Sequence, residues 1–198
     1  MKKSILTILL AVLIAAPVFA SEKNDKELDL KAGYTLDNNV KLYLDDGKKA
    51  GSTDKTCVLG AEFYYYYVNS QVALGLGVNN FFEAAADYRR KDNYSFTNIY
   101  FAVRPKMNLD SEILDSLYFI GQIGYGLFRF SADSSSGMGS VDTENGLYWA
   151  MGVGLEIMDY FILEVIHSFN YGYLKVNNNR NDMRYSALTI SVGYKFKL

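Results

Sequence analysis

The feature that most constrains this chain is a period-two alternation of bulky apolar residues with small or polar ones. Side chains of a β-strand point alternately to its two faces, so this period predicts strands rather than helices. The alternation recurs in eight segments, at residues 28–36, 57–67, 72–79, 98–104, 117–127, 147–157, 161–168 and 188–196. The chain is therefore predicted to be all-β, with eight strands.

The two faces of these segments differ in a way that favours a membrane barrel over a soluble, lipocalin-like barrel. The apolar faces carry no Asp, Glu, Lys or Arg, whereas the opposite faces are rich in Gly and Ala. A face in contact with water carries charges for solubility, and glycine there costs conformational entropy. The inside of an eight-stranded barrel is narrow and favours small residues. The bulky faces are therefore predicted to point outward, into lipid, with aromatic residues near the strand ends as interfacial girdles.

The connections between the segments support the same architecture. Short or modest connections at 68–71, 108–116 and 158–160 alternate with long polar segments at 37–56, 83–94, 131–145 and 176–182. Outer-membrane barrels have short turns at one end and long external loops at the other. No stretch after the first twenty residues is suited to a spanning helix, and lipid cannot satisfy an open sheet edge. These observations predict an eight-stranded antiparallel transmembrane β-barrel with short periplasmic turns and longer extracellular loops.

The beginning of the chain has the three parts of a cleavable signal peptide. Lys2 and Lys3 precede an apolar run at 5–16, and Ala-Pro-Val-Phe-Ala follows. The run is shorter than the roughly 20 residues of a membrane anchor. We expect residues 1–20 to be removed after Ala20 and residues 21–198 to form one barrel domain. The net charge of −2 does not favour nucleic-acid binding, and the single cysteine, Cys57, predicts neither a disulfide nor a metal or other cofactor site.

The end of the chain carries the most specific motif. Ser191 is followed by Gly193, and the third-last and last residues, Phe196 and Leu198, are hydrophobic. This resembles the assembly signal of the small outer-membrane β-barrel family that includes OmpX, OmpW and the membrane domain of OmpA. The resemblance covers the mature chain as a pattern, and the terminal Leu198 departs from the Phe of many members. It implies a bacterial outer-membrane location, insertion by the outer-membrane assembly machinery, and a monomer in contact with outer-membrane lipid and lipopolysaccharide.

Several polar residues fall on the inward faces and form the first candidate site. They are Glu62, Arg104, Gln122, Glu156, Glu164 and Lys195. One interpretation is a polar path or gate through the lumen. The other, which we favour, is a plug of ion pairs and hydrogen bonds, because buried charges need partners and eight strands leave an interior filled by side chains.

A second group of candidates lies on the external segments. Basic residues there could clamp lipopolysaccharide phosphates, or they could belong to an ordinary solvated surface, and the sequence favours neither. They are Arg89, Arg90, Lys91, Arg180 and Arg184. A catalytic site is not predicted. His167 and Ser168 are adjacent, so they should point to opposite faces, whereas some lipid A deacylases carry His and Ser two residues apart on one strand.

The leading hypothesis is a non-enzymatic outer-membrane barrel that acts in envelope integrity, or in surface contact through its extracellular loops. This role follows from the family resemblance. The alternatives are a lipid A-modifying hydrolase at the membrane face and a small pore or transporter for hydrophobic molecules.

Overall fold

The computed structural model describes residues 26–44, 47–66, 71–88, 90–109, 111–131, 141–176 and 179–198. Within them the chain forms ten strands. They are β1 (Lys26–Leu44), β2 (Gly47–Ser52), β3 (Cys57–Tyr66), β4 (Val72–Tyr88), β5 (Arg90–Asn108), β6 (Leu114–Ser131), β7 (Val141–Glu144), β8 (Gly146–Ile157), β9 (Phe161–Val176) and β10 (Asn179–Lys197). No helix among the described residues is long and apolar enough to cross a membrane.

Eight of these strands form a closed ring. The order is β1-β3-β4-β5-β6-β8-β9-β10, and β10 pairs again with β1, always antiparallel. The short strands β2 and β7 pair with β1 and β9 along the same edges as β3 and β8, beyond the ends of those two strands. A closed ring has no unpaired edge, which is the condition for a sheet surrounded by lipid. The predicted eight-stranded antiparallel barrel is confirmed.

The two ends of the ring are distinguishable, and we call them the turn end and the loop end. At the turn end the backbone N–H of Leu198 donates to the carbonyl of Lys26 at 2.9 Å, and a tight turn at 158–160 joins β8 to β9. Met158 and Asp159 have positive φ angles of 50° and 67° in this turn. Strands β2 and β7 lie at the opposite end, the loop end.

The faces of the strands point as the alternation predicts. The bulky apolar residues are turned outward, with exposed fractions of 67% for Phe101 and 61% for Leu74. The small and polar residues between them face the interior. Leu28 is an exception and is 7% exposed. Its register partners on the same face are Phe63 and Phe196, whose aromatic side chains flank it on both sides.

Towards the loop end the alternation changes its sense. In the middle of β5 the apolar Ile99 points outward and the polar Asn98 points inward. Two residues earlier, nearer the loop end, the apolar Phe96 is buried inside and the polar Thr97 lies on the outer face. This reversal is expected where a strand leaves lipid for water, because the outer face then favours polar residues and the inner face packs as an ordinary core.

The reversal explains an error in the predicted strand ends. The segments at 37–56, 83–94, 131–145 and 176–182 are predicted to be polar loops, but most of their residues that the structure describes belong to strands. β1 continues to Leu44, β4 runs to Tyr88 before β5 begins at Arg90, and β9 and β10 extend to Val176 and Asn179. Each predicted strand covers only the part in which the apolar residues stay on one face, so at the loop end it stops where the pattern inverts.

Candidate functional site

The interior of the ring contains two layers of different chemistry. The layer nearer the turn end, here called the ion cluster, consists of nine buried or nearly buried charged residues from six strands. They are Glu27, Asp29, Lys31, Glu62, Arg104, Lys106, Glu156, Glu164 and Lys195. The layer nearer the loop end, here called the aromatic cluster, contains Val40, Val58, Phe81, Tyr94, Phe96, Phe128, Leu174, Met183, Tyr185 and Ala187.

Arg104 is the centre of the ion cluster and is fully buried. Its guanidinium lies between two tyrosine rings, 3.7 Å from the centroid of Tyr64 and 4.6 Å from that of Tyr118. The same group forms ion pairs with Asp29 and, at 3.4 Å, with Glu62. A planar guanidinium can stack between two aromatic rings and pair with carboxylates at its edge, whereas the ammonium of a lysine cannot stack in this way.

Glu62 is the most connected carboxylate. Its oxygens accept hydrogen bonds from the hydroxyls of Tyr64 at 2.8 Å and Tyr100 at 2.7 Å. The Gln122 amide donates to it at 2.8 Å, and the Lys31 ammonium lies 2.6 Å away. Four donors around one buried carboxylate supply the hydrogen bonds that water would otherwise make. The ionised form of Glu62 is thus held in the middle of the lumen.

Lys31 joins the two halves of the ion cluster. Besides Glu62, its ammonium donates to Glu164 at 2.7 Å, and Glu164 also accepts from the Tyr118 hydroxyl at 2.8 Å. Glu62 lies on β3 and Glu164 on β9, so Lys31 bridges strands that are not neighbours in the ring. The bridge therefore crosses the lumen.

A second group of charges lies at the turn end. Glu156 forms ion pairs with Lys106 and, at 2.9 Å, with Lys195, and Glu27 lies 3.3 Å from Lys106. The Tyr66 hydroxyl donates to Glu27 at 2.9 Å. These pairs fill the lumen beneath Arg104.

A chain of amides and a tyrosine rises from Glu62 towards the aromatic cluster. Gln122, which donates to Glu62, accepts from the Tyr148 hydroxyl at 2.6 Å, and that hydroxyl accepts from Asn79 at 3.1 Å. Asn79 in turn accepts from Asn98 at 2.8 Å. The polar layer therefore ends in neutral side chains, which border the apolar layer at lower desolvation cost than charges.

The aromatic cluster closes the loop-end half of the lumen. The ring of Phe96 stacks on Phe128 with centroids 4.9 Å apart and on Tyr185 at 4.5 Å. Tyr94 stacks on Phe128 at 5.9 Å, and Phe81 meets Tyr185 edge-on at 6.0 Å. This packing is that of an ordinary protein core.

Glycines make room for the large side chains inside. A Cβ at Gly75 would lie 2.6 Å from the ring of Tyr64, and one at Gly77 would lie 2.5 Å from the ring of Tyr100. At the boundary between the two clusters the structure contains a cavity of about 40 Å³. A buried water needs roughly 10–15 Å³ on this measure, so the cavity has room for about three waters and for no larger ligand. The described side chains thus pack the lumen closely.

The structure places all six predicted interior residues inside the ring and connects them. It also places there four charged residues that the predicted network left out, Glu27, Asp29, Lys31 and Lys106. Asp29 and Lys31 lay on the predicted inner face of the first segment, so the alternation could have found them. Glu27 and Lys106 lie one and two residues beyond the predicted segments, and only the true strand lengths bring them in.

The predicted external cations have different environments. Arg180 is stacked on Tyr173 at 3.6 Å and pairs with Glu144 at 3.2 Å, and Lys175 lies 2.5 Å from the same carboxylate. The hydrogen bond from Lys175 lowers the pKa of Glu144. Arg184 points outward beneath them. Arg89 lies outside the described residues, as do the side chains of Arg90 and Lys91.

His167 and Ser168 point to opposite faces. His167 is exposed on the outer face, with its ring 4.4 Å from that of Phe169, whereas Ser168 is buried inside and donates to the carbonyl of Ala187 at 3.4 Å. The free Cys57 is exposed, and the described residues contain no group of three or more His, Cys, Asp and Glu side chains that could hold a metal ion.

The C-terminal motif lies in the last strand of the ring. Ser191 faces inward with its hydroxyl 3.4 Å from Glu164, and a Cβ at Gly193 would lie 2.8 Å from the backbone carbonyl of Leu30. Phe196 and Leu198 are exposed on the outside. Recognition of this motif by the assembly machinery stays a prediction.

Solved structures with the same fold include outer-membrane proteins. Neisserial surface protein A is similar with a TM-score of 0.52 and 16% identity, over 85% of this chain and 97% of that one. The outer membrane protein OprG from Pseudomonas aeruginosa is similar with a TM-score of 0.55 and 14% identity, over 87% and 96%. The outer membrane protein AlkL has a TM-score of 0.53 and 13% identity, over 90% and 94%. At these identities the likeness shows the fold.

No curated protein matches the sequence. A family profile, however, matches residues 6–196, which is nearly the whole chain, and its description is outer membrane protein beta-barrel domain. The closed ring, its apolar outer face and its filled interior agree with that description. The chain belongs to the outer membrane protein beta-barrel domain family, and its place is the bacterial outer membrane.

Proposed function

We propose that this protein is a closed, non-enzymatic barrel that acts in envelope integrity or surface contact, through its outward face and extracellular end. The observation that carries the proposal is the filled lumen. Arg104 is fully buried in the ion cluster between two tyrosine rings, and the aromatic cluster lies above it. A barrel with an occluded interior meets the rest of the envelope through its surfaces, and the loop end is the extracellular side of such barrels.

The wall of the barrel supports the same proposal. Neighbouring strands of the ring are paired across its membrane-facing part, including β3 with β4 from Val58 to Tyr66. A lateral opening for hydrophobic molecules would require such a pair to separate. The opposite orientations of His167 and Ser168 likewise give no support to a serine hydrolase on this strand.

The proposal is tested by measuring the ionic conductance of bilayers that contain the protein. Mature protein is refolded into planar bilayers, and its folding is checked by heat-modifiable migration on gels. We expect no steady conductance from the wild type, while a larger porin in the same bilayers opens normally. Steady openings whose ion selectivity changes on Arg104→Gln would show that the polar lumen conducts, and the proposal would be wrong.

A second assay addresses catalysis. Lipid A is incubated with the refolded barrel, and the products are analysed by mass spectrometry. We expect the acyl chains to stay intact. Loss of an acyl chain with the wild type, abolished by His167→Ala, would establish a hydrolase instead.

A further inference from the structure

Two cations face each other on the outer surface near the loop end. Lys41 on β1 and Arg184 on β10 are direct register partners, and both are exposed. A register shift between Thr35 and Asp37 exchanges the faces of β1, so that Val40 is buried and Lys41 points outward. Like charges directly opposite each other on neighbouring strands are destabilising. An anion bound between Lys41 and Arg184 would remove this repulsion.

No carboxylate among the described side chains supplies that anion. Neither Lys41 nor Arg184 has an Asp or Glu oxygen within 4.0 Å there, in contrast to Arg180, which is bound to Glu144. Of the acids nearest along the two strands, Asp37 accepts a hydrogen bond from the Asn39 amide at 3.3 Å and Asp182 lies opposite Tyr43, and neither carboxylate is within 4.0 Å of the two cations. The two outward arginines of β10 thus differ: one is neutralised and the other is not.

The surface around the pair is concave and rich in donors. A cavity of about 160 Å³ is lined by Asn39, Lys41 and Tyr43 of β1, Tyr171 of β9, and Arg184 and Ser186 of β10. The guanidinium of Arg184 lies 5.0 Å from the ring of Tyr43 and 5.5 Å from that of Tyr171. Both distances are within the range of a cation–π contact. An arginine fork beside a lysine ammonium is a combination suited to a phosphate group.

The height of the site matches the outer headgroup region. On the same outward face, Tyr194 belongs to a stacked aromatic group at the turn end, where it lies 5.9 Å from Tyr160. About ten residues of β10 separate Tyr194 from Arg184, which at ~3.3 Å per residue and a tilt of about 40° is roughly 25 Å across the membrane. That distance is the height of the apolar band of such barrels. Phe169, stacked on Trp149 at 4.1 Å, lies just below Tyr171.

We propose that Lys41 and Arg184 bind a phosphate of lipopolysaccharide in the outer leaflet, with Asn39 and Ser186 as further donors. The inference rests on the proposed function in that it places the role of the barrel on its outward face. It assigns that contact to β1, β9 and β10, and of the predicted external cations it includes Arg184.

The test uses the fluorescence of Trp149, the single tryptophan of the chain, which stacks on a residue lining the site. Refolded mature protein in nonionic detergent is titrated with lipid A that carries its phosphates, with dephosphorylated lipid A, and with inorganic phosphate. For the wild type we expect at least tenfold tighter binding of the phosphorylated lipid, because only that lipid offers charged oxygens to the donors of Arg184 and Lys41. Inorganic phosphate is expected to compete only weakly.

The variants locate the site. Lys41→Gln combined with Arg184→Gln is expected to remove the preference for phosphorylated lipid, whereas Arg180→Gln, on the same face of the same strand, keeps it. A double variant that retains the preference, a wild type without any preference, or inorganic phosphate binding as tightly as the lipid would each overturn the proposal. The conductance assay is independent of these results, so failure of the site and failure of the closed-barrel function are distinguishable.

A second measurement, of the unfolding temperature, tests the proposal if the fluorescence of Trp149 changes little when lipid A binds. In nonionic detergent without lipid, neutralising one member of a repelling pair removes the repulsion, so Lys41→Gln is expected to unfold at the same temperature as the wild type or higher. Added phosphorylated lipid A raises the unfolding temperature of the wild type and leaves that of the double variant unchanged. A variant that is less stable without lipid would show that Lys41 is held by protein contacts, contrary to the proposal.

Discussion

The two halves of one lumen are filled by different means. The ion cluster places charges where lipid surrounds the barrel, and the aromatic cluster places apolar rings where the strands leave the membrane. Each half contrasts with its outer surface. The membrane-facing wall is apolar outside and polar inside. The part of the wall that continues beyond the membrane at the loop end, here called the extension, is polar outside and apolar inside. A charged interior requires complete pairing, whereas an apolar one requires only shape. The two halves should therefore respond differently to a single lost side chain.

The largest effect is expected from the centre of the ion cluster. Arg104→Met removes the guanidinium that pairs with Asp29 and Glu62 and leaves buried carboxylates uncompensated. Breaking a buried pair in this way costs about 3–5 kcal/mol. The free energy of unfolding in urea, measured on protein folded in lipid vesicles, should fall by that amount. Lys106→Met, at the turn end where Glu156 keeps Lys195, is the control and should cost less. Equal losses would mean that Arg104 is not the centre of the network.

The aromatic cluster should respond to volume. Phe96→Ala opens a cavity between Phe128 and Tyr185 and is expected to lower the free energy of unfolding by about 3 kcal/mol. Phe96→Leu keeps most of the volume and should cost less than about 1.5 kcal/mol. The same urea titration measures both. If the leucine variant were as unstable as the alanine variant, ring stacking rather than volume would stabilise this half.

The sequence predicted the membrane half better than the extension. Alternation places residues on faces, so the inward positions of Glu62, Arg104 and Glu164 and the outward position of Phe101 followed from it directly. Their pairing did not, because the bridge that Lys31 makes between β3 and β9 depends on the curvature of the closed ring. Partners across a lumen are far apart in sequence, and a one-dimensional pattern holds no information about them.

The extension was missed for a different reason. Val40 lies in a segment predicted as a polar loop, and Phe96 and Tyr185 lie between such segments and the next predicted strands. Only the buried positions of these apolar side chains show that the strands continue. A search for alternation of either sense would have found much of β5 and β10. The register shift after Thr35 would still have interrupted the pattern in β1.

The tightness of the ion cluster can be tested with a pair of inward glycines. Gly77→Ala places a methyl group 2.5 Å from Tyr100 and 2.9 Å from Glu62, displacing the tyrosine hydroxyl that donates to that carboxylate. Overpacking of this kind costs about 1–3 kcal/mol. At Gly60, on the adjacent strand, the new Cβ would meet its nearest atoms at 3.5 and 3.6 Å, so Gly60→Ala should change stability by less than about 0.5 kcal/mol. A neutral Gly77→Ala in the urea titration would show that Tyr100 can move without loss.

The smallest effect is expected from an ion pair that water reaches, which isolates burial as the variable. At the turn end Lys197 donates to Asp159 at 2.8 Å, and this bond lowers the pKa of Asp159 below its usual 3.8. A carboxyl group with a lowered pKa in the folded state stabilises above its unfolded pKa, and the contribution disappears as the pH falls through the lowered value. Asp159→Asn keeps a residue that tolerates the positive φ of 67° and should cost less than about 1 kcal/mol at pH 7. The loss should vanish in 1 M salt, or once the pH falls below the lowered pKa of Asp159, and the urea titration at both conditions checks this. A loss as large as that of Arg104→Met would mean that pairing itself, not burial, sets the stability of these charges.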